Sequence, residues 1–239
     1  TLPLTLFPYT TLFRSTIPYF GWDDLIFTHI SAKVPGTDDE FLINPYGFLF
    51  DEITASNLVK VNLKGKILSD TNNFINPAGF TIHSAIHEKR EDAHCIVHLH
   101  SNDGVAVASL KDGLLPLSQT GMLVRSQIAY HDYEGVALFE EEKVRLVKDL
   151  GEARLMILRN HGTLALGKNV AEAFTNIYFL EKACSYQVRA LSGNLELNYP
   201  SEESIETTRQ QGEGREMAAA LLWPAVKRKM ERLDSSFLN

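Results

Sequence analysis

The chain has 239 residues, of which 44% are hydrophobic, 22% charged and 10% aromatic. That is enough to bury a full core in one large domain or two small ones, and too apolar for a disordered chain. A net charge of −7 and a pI near 5.6 offer none of the clustered cationic footprint that a nucleic-acid surface needs. The basic group Lys227, Arg228, Lys229 and Arg232 reads as a solvated helix face. No apolar run approaches the roughly 20 residues that span a bilayer, so no membrane is expected. Two cysteines, Cys95 and Cys184, sit in apolar patterns without paired spacing and read as buried thiols of a reducing, cytoplasmic compartment.

Residues 1–15 carry neither a helix pattern nor the basic start, apolar stretch and cleavage site of a signal peptide. Residues 5–15, TLFPYTTLFRS, resemble the translated frame of a sequencing adapter. This segment is expected to be a non-native leader with no place in the core.

From Ile26 the pattern alternates: Phe27, His29, Ser31 and Lys33 oppose Ile30, Ala32 and Val34 before a Pro35-Gly36 turn. Residues 41–43 and 58–63 read as further strands, separated by the turn Asn44-Pro45-Tyr46-Gly47. Asn76-Pro77 opens a helix to about Arg90, with proline in the first turn where its missing N–H costs least. Residues 94–98 (HCIVH) form a buried strand, and Ser101 and Asn102 are placed to cap a helix over 105–110. A charged amphipathic helix covers 139–150, and the apolar strand 154–158 ends in Arg159-Asn160-His161-Gly162. The longest helix starts after Asn169, keeps helical spacing from Val170 to Leu191 and stops at Gly193. Alternating strands and helices without a linker predict one α/β domain over 16–200, its sheet covered by helices. Residues 201–239 form a helical tail with a last helix from about Glu216, kinked near Pro224; it is the part expected to move or to reach a neighbouring subunit.

Residues two apart in a strand face the same way, so His98 and His100 of HLH can grip one ion together. Imidazole suits Zn²⁺ and other borderline first-row ions, and three protein ligands leave an open position for water or substrate. His161, at a strand exit before Gly162, is the candidate third ligand. An accidental histidine pair and a hydrogen-bonded loop histidine remain the alternative at this point. His83 and His87, one helical turn apart, offer a second pair, more commonly a surface or supporting arrangement; His29, His94 and His131 carry no spacing signal.

At FTHISAKV, INPYG, INPAGFTIHSAIH, IVHLHS, IAYHDYEG and RNHGTLALG the chain resembles the class II aldolase/adducin family, from about Phe20 to Ala190. The resemblance implies a three-layer α/β/α domain around a central mixed sheet, a ring-like homotetramer with sites between subunits, and one Zn²⁺ per chain on His98, His100 and His161. The family's aldolases cleave sugar phosphates with a glutamate moving the proton, in a Ser-Ser-Glu segment. Here Pro77, Ala78 and Gly79 stand in that place. His29 replaces the asparagine of the phosphate loop, Tyr46 the small hydroxylated residue before Gly47, and Thr120 loosely matches a further tyrosine. His29, Ser31, Tyr46, Gly47, Ala78 and Gly79 are therefore the candidate substrate-pocket residues, in a form similar to the adducin-type bacterial branch. Tyr130, His131, Asp132 and Glu134 are the weak candidates for the missing proton chemistry, against a plain strand and polar turn.

Two functions follow. One is a metal-dependent lyase or related enzyme on a small hydroxy-carbonyl or oxo compound that is not a sugar phosphate. The other is a non-catalytic, oligomeric interaction module, as in the adducins that bind actin and spectrin.

Overall fold

In the computed structural model, described for residues 6–193, 195–212 and 216–233, seven strands form one mixed sheet. The strands are β1 (His29–Lys33), β2 (Glu40–Ile43), β3 (Val59–Asn62), β4 (Cys95–Leu99), β5 (Ile128–His131), β6 (Leu155–Leu158) and β7 (Gly162–Gly167). Their order is β3-β2-β1-β4-β7-β6-β5, antiparallel throughout except for the β5–β6 pair. β4 therefore runs through the middle, and all five of its residues are buried. Such a strand is apolar on both faces, which is why HCIVHL shows no clean alternation.

Eight α-helices cover the sheet: α1 (Leu6–Phe20), α2 (Pro77–Lys89), α3 (Asn102–Ala108), α4 (Gln119–Arg125), α5 (Glu140–Leu150), α6 (Val170–Leu191), α7 (Glu202–Gln211) and α8 (Glu216–Leu233). Ile82 and Ile86 of α2 and Leu146 and Leu150 of α5 pack on Ile96, Met156 and Leu164. On the other face Leu12, Phe13, Phe174, Ile177 and Trp223, from α1, α6 and α8, share a core with Val97, Leu155 and Ala165. Helices thus lie on both sides of the sheet, the three-layer arrangement expected.

Helix starts follow local chemistry. The Asn76 side chain accepts from the Ala78 amide at 3.0 Å, ahead of Pro77 at the first helical position. Ser101 caps α3 by accepting from Gly104 N at 3.0 Å, and Asn169 caps α6 by accepting from Glu172 N at 2.9 Å. Each cap satisfies one of the amides that a helix start leaves bare.

Two expectations are corrected, the place of the N-terminal segment and the looseness of the last helix. Residues 10–15 do belong to the core: Leu12 and Phe13 of α1 are fully buried, and Phe13 meets Phe174 edge-on at 5.5 Å. The tail after Pro200 is helical from Glu202 (α7), and β7, which the sequence pattern left unassigned, pairs β4 with β6. Nor is the last helix loose, since it packs on α6 and α1 and buries Trp223 and Met230. Residues 1–5, 213–215 and 234–239 of the two terminal segments lie outside the described residues.

Candidate metal and substrate site

His98 lies on β4 in register with His29 of β1 and Leu164 of β7. Cross-strand partners share a face, so His29 and His98 stand side by side on the α2 face of the sheet, rings stacked 6.4 Å apart. His100 follows just past the end of β4. His161 comes from the β6–β7 turn, where Asn160 takes a left-handed conformation (φ 57°) and Gly162 follows. A Cβ at Gly162 would lie 2.2 Å from the Leu99 carbonyl oxygen. Only glycine lets the turn close on the end of β4 and bring His161 to His100.

The three rings converge. His98 Nε2 is 2.9 Å from His100 Nε2 and 3.3 Å from His161 Nε2. His98 Nδ1 lies 3.0 Å from the Thr163 carbonyl, which only accepts, so this nitrogen carries the proton. His100 Nδ1 donates to Asp24 Oδ2 at 2.9 Å. Burial holds His98 well below the ordinary imidazole pKa and His161 down to about 4, with the neighbouring histidines adding to both shifts. Nε2 of the neutral His98 ring is then a bare lone pair, aimed at the point where the Nε2 atoms of His100 and His161 also converge. Nitrogens on one tetrahedral first-row ion, each at about 2.0–2.1 Å, stand about 3.3 Å apart. The donor set and its second set of hydrogen bonds therefore fit a divalent ion.

Behind the triad, Glu181 of α6 is fully buried and accepts from Thr163 Oγ1 at 2.5 Å and from Ser101 Oγ. Burial pushes its carboxyl up to about 7, against these two hydrogen bonds. It ties the residue after His100 to the residue whose carbonyl orients His98. Neither Glu181 nor Asp24 was visible in the sequence, because nothing in local spacing links either to the histidines.

The triad lies in the wall of a cavity of about 300 Å³ lined also by Phe27, Thr28, His29, Tyr46, Asn76, Ala78, Gly79, Ile82, Tyr133 and residues 135–137. No lysine, arginine, aspartate or glutamate is among these lining residues. Of the candidate pocket residues, His29, Tyr46, Ala78 and Gly79 line it. Gly47 does not, and Ser31 is turned to α2, where its Oγ meets His83 Nδ1 at 2.6 Å and His87 Nε2 at 2.7 Å. His83 and His87 are buried on this serine, an arrangement unlike a second ligand pair.

The four proton-transfer candidates are all employed elsewhere. Tyr130 points to the opposite sheet face, its hydroxyl accepting from Leu114 N at 3.0 Å and its ring under Arg159. His131 Nδ1 donates to Asp149 Oδ2 at 2.7 Å, and its Nε2 stands 3.8 Å from Glu142. Asp132, at the surface, pairs with Arg159 at 3.4 Å, and Glu134 is held by Arg145. The residue of this segment that reaches the cavity is Tyr133, whose ring lies 6.5 Å from His161. Sequence reasoning passed over it because the strand ends at His131 and alternation gives no direction beyond that point.

His29 explains what happens at position 79. A Cβ on Gly79 would lie 2.5 Å from His29 Nδ1 and Cε1. The imidazole thus fills the space that a side chain at 79 needs. Both His29 ring nitrogens are buried without a hydrogen-bond partner, as is Thr28 Oγ1, and Thr28 holds a left-handed φ of 75°, which is strained for a β-branched residue. A buried polar group left unsatisfied costs about 1–3 kcal/mol.

The model of the class II aldolase and adducin N-terminal domain matches residues 11–188. A protein of Caulobacter vibrioides, named provisionally as an aldolase class 2 protein, is 55% identical over 92% of this chain and 86% of its own length. The chain belongs to the class II aldolase and adducin family. Rat alpha-adducin is 49% identical over 72% of this chain, which spans only 24% of that protein. A solved aldolase II superfamily protein from Pseudomonas syringae is similar over 100% of this chain and 98% of its own, with a TM-score of 0.95 and 44% identity. No described helix is long and apolar enough to cross a membrane.

Proposed function

We propose that this chain is a zinc-dependent enzyme, a lyase or a related catalyst, acting on a small hydroxy-carbonyl or oxo compound that carries no phosphate. The observation that carries this reading is the meeting of three imidazole Nε2 atoms in the wall of a cavity lined by no charged side chain. His98, His100 and His161 hold the ion, one per chain. When bound, it supplies Lewis acidity toward a carbonyl oxygen. Asp24 and the Thr163 carbonyl orient two of the ligands, while Phe27, Tyr46, Ile82 and Val136 keep the cavity apolar and narrow. A phosphate finds no cationic side chain there to receive it. Position 79 offers no carboxylate, and His29 blocks one from being restored. The homotetramer implied by the family resemblance and the cytoplasmic location read from the unpaired cysteines are part of the same proposal.

Metal analysis of purified protein tests the ligand set: about one first-row ion per chain is expected, and His100→Ala should lose most of it. With metal loaded, cleavage of fuculose or rhamnulose phosphate should be negligible, for wild type and for Gly79→Glu alike. Turnover in the common enzyme range of about 1–10³ s⁻¹ would overturn the reading. The 49% identity to alpha-adducin supports a second reading, a non-catalytic oligomeric module of the kind that binds actin filaments. Co-sedimentation with filaments by wild type and metal-free His100→Ala alike, together with no turnover in a screen of unphosphorylated hydroxy-carbonyl compounds, would favour it.

A further inference from the structure

A second cavity, of about 340 Å³, opens between the end of α1, the start of α3 and α6, on the sheet face that α6 covers. It shares no lining residue with the metal cavity. A helix repeats every 3.6 residues, so Tyr178, Lys182, Ser185 and Arg189 form one stripe along α6. Tyr178 packs on Phe20 and Trp22, with ring centroids 5.6 and 6.2 Å away. The other three members of the stripe therefore face the same gap, and they line it. Asn102 and Asp103 stand across from them, and buried Glu181 closes the floor.

The polar groups left for a ligand are mostly donors. Glu181 has both oxygens taken, by the hydroxyls of Ser101 and Thr163. Asp103 Oδ2 is paired with one terminal nitrogen of Arg189 at 2.9 Å. The same nitrogen donates to Ser185 Oγ, which leaves the Ser185 hydroxyl proton free to be given elsewhere. Lys182 and the Asn102 side chain have no ion pair or hydrogen bond among the described residues. One ammonium without a partner, flanked by an amide and a hydroxyl, calls for one negative charge. A doubly charged phosphate would set its second charge against Asp103 and Glu181. The apolar part of the wall is Phe20 and Trp22, whose rings stack 4.7 Å apart with their planes at 20°, a surface suited to another flat ring.

We infer that this cavity is a second ligand site, for a small aromatic monocarboxylate: Lys182, Ser185 and Asn102 bind the carboxylate, and the ring lies against Phe20 and Trp22. The site stands behind the metal centre and does not depend on whether the triad holds zinc.

Benzoate is the probe, on the full chain with and without zinc. The chain has two tryptophans, so Trp223→Phe leaves Trp22, in the cavity wall, as the sole indole. Benzoate should change its emission saturably. Calorimetry on wild type should give a matching dissociation constant, the same in both metal states, and decides alone if Trp223→Phe does not fold. Benzamide, with the same shape and no charge, should bind about tenfold more weakly, the scale of a lost charge-assisted hydrogen bond. Lys182→Gln should weaken benzoate to the same extent, and Lys182→Arg should keep it. No saturable binding at millimolar benzoate would overturn the inference. Equal affinity for benzamide, unaltered benzoate binding in Lys182→Gln, or displacement of benzoate by inorganic phosphate at equal affinity would do the same. Binding that disappears with zinc would put the carboxylate on the triad, which overturns the second site and leaves the metal reading standing.

Discussion

Arg14 and His29 show the same defect in two settings. Both are buried side chains with nitrogens that nothing satisfies: Nε and one terminal nitrogen of Arg14, both ring nitrogens of His29. Arg14 sits on α1 against β1, where its other terminal nitrogen donates to the Ile30 carbonyl at 3.0 Å, and burial lowers its pKa to about 9. His29 is pushed down to about 3, mainly by burial, and stays neutral. One site seals a cation into the core without a carboxylate; the other sets a neutral ring into the wall of a cavity, beside His98. An unsatisfied atom points to function where something can arrive to satisfy it. In closed packing it points to a misfit, and Arg14 belongs to the stretch that resembles an adapter frame.

The comparison breaks most visibly if α1 is only an appendage. Removing residues 1–15 deletes fully buried Leu12 and Phe13, and losses of about 2–5 kcal/mol for each such side chain take much of the 5–15 kcal/mol that holds a typical domain. Thermal melting should show a large drop or no cooperative transition. An unchanged melting temperature would place α1 outside the core.

Acid should act next most strongly, through the neutral histidines of the cavity side. His83 and His87 titrate in the folded protein well below their ordinary 6.5, His87 at about 3. As pH falls below 6.5 the unfolded chain takes up protons that the folded one refuses. Stability should fall from pH 6.5 down toward 3, by about 1.4 kcal/mol per pH unit for each histidine. Glu181 works in the opposite sense between 4.5 and about 7, since its raised pKa favours the folded state when protonated. Glu181→Gln should therefore steepen the acid loss in that window, as read by denaturant melts at a series of pH values.

Arg14→Met sharpens the contrast at smaller scale. It replaces a sealed cation by an apolar chain of similar length, and a gain of about 1–4 kcal/mol is expected, seen as a melting temperature higher by several degrees. A loss would show that the guanidinium has a role its bond to Ile30 does not reveal. Least of all should change in Asp132→Asn: the side chain is at the surface and its ion pair with Arg159 is open to water. Stability within about 0.5 kcal/mol and an unchanged metal content are expected; a lost ion would return residues 130–134 to the site.

The triad was legible in the sequence because two of its members lie two residues apart at a strand exit and the third precedes a glycine. The α2 and α6 boundaries were legible because Asn76-Pro77 and Asn169 act on amides within three residues of themselves. α1 was not, since its threonines and phenylalanines follow no periodic stripe and its burial depends on Phe174 and Trp223, far along the chain. Tyr130 was a candidate and Tyr133 was not, although only the second reaches the cavity, because the direction of a side chain past a strand end is set by the loop that follows.

Local and short-range chemistry by itself thus determined the α/β class and most helix starts, and named His98, His100 and His161 as candidates that the fold then brings together. The tertiary structure alone decided that His29 stands where a side chain at position 79 has no room, and that Ser31 serves two histidines of α2 rather than the cavity. It decided too that Glu181 braces both loops of the triad. Each of these depends on the register of β1 against β4 and on how α2 and α6 lie across the sheet, and such distances between residues remote in the chain arise only when the core packs.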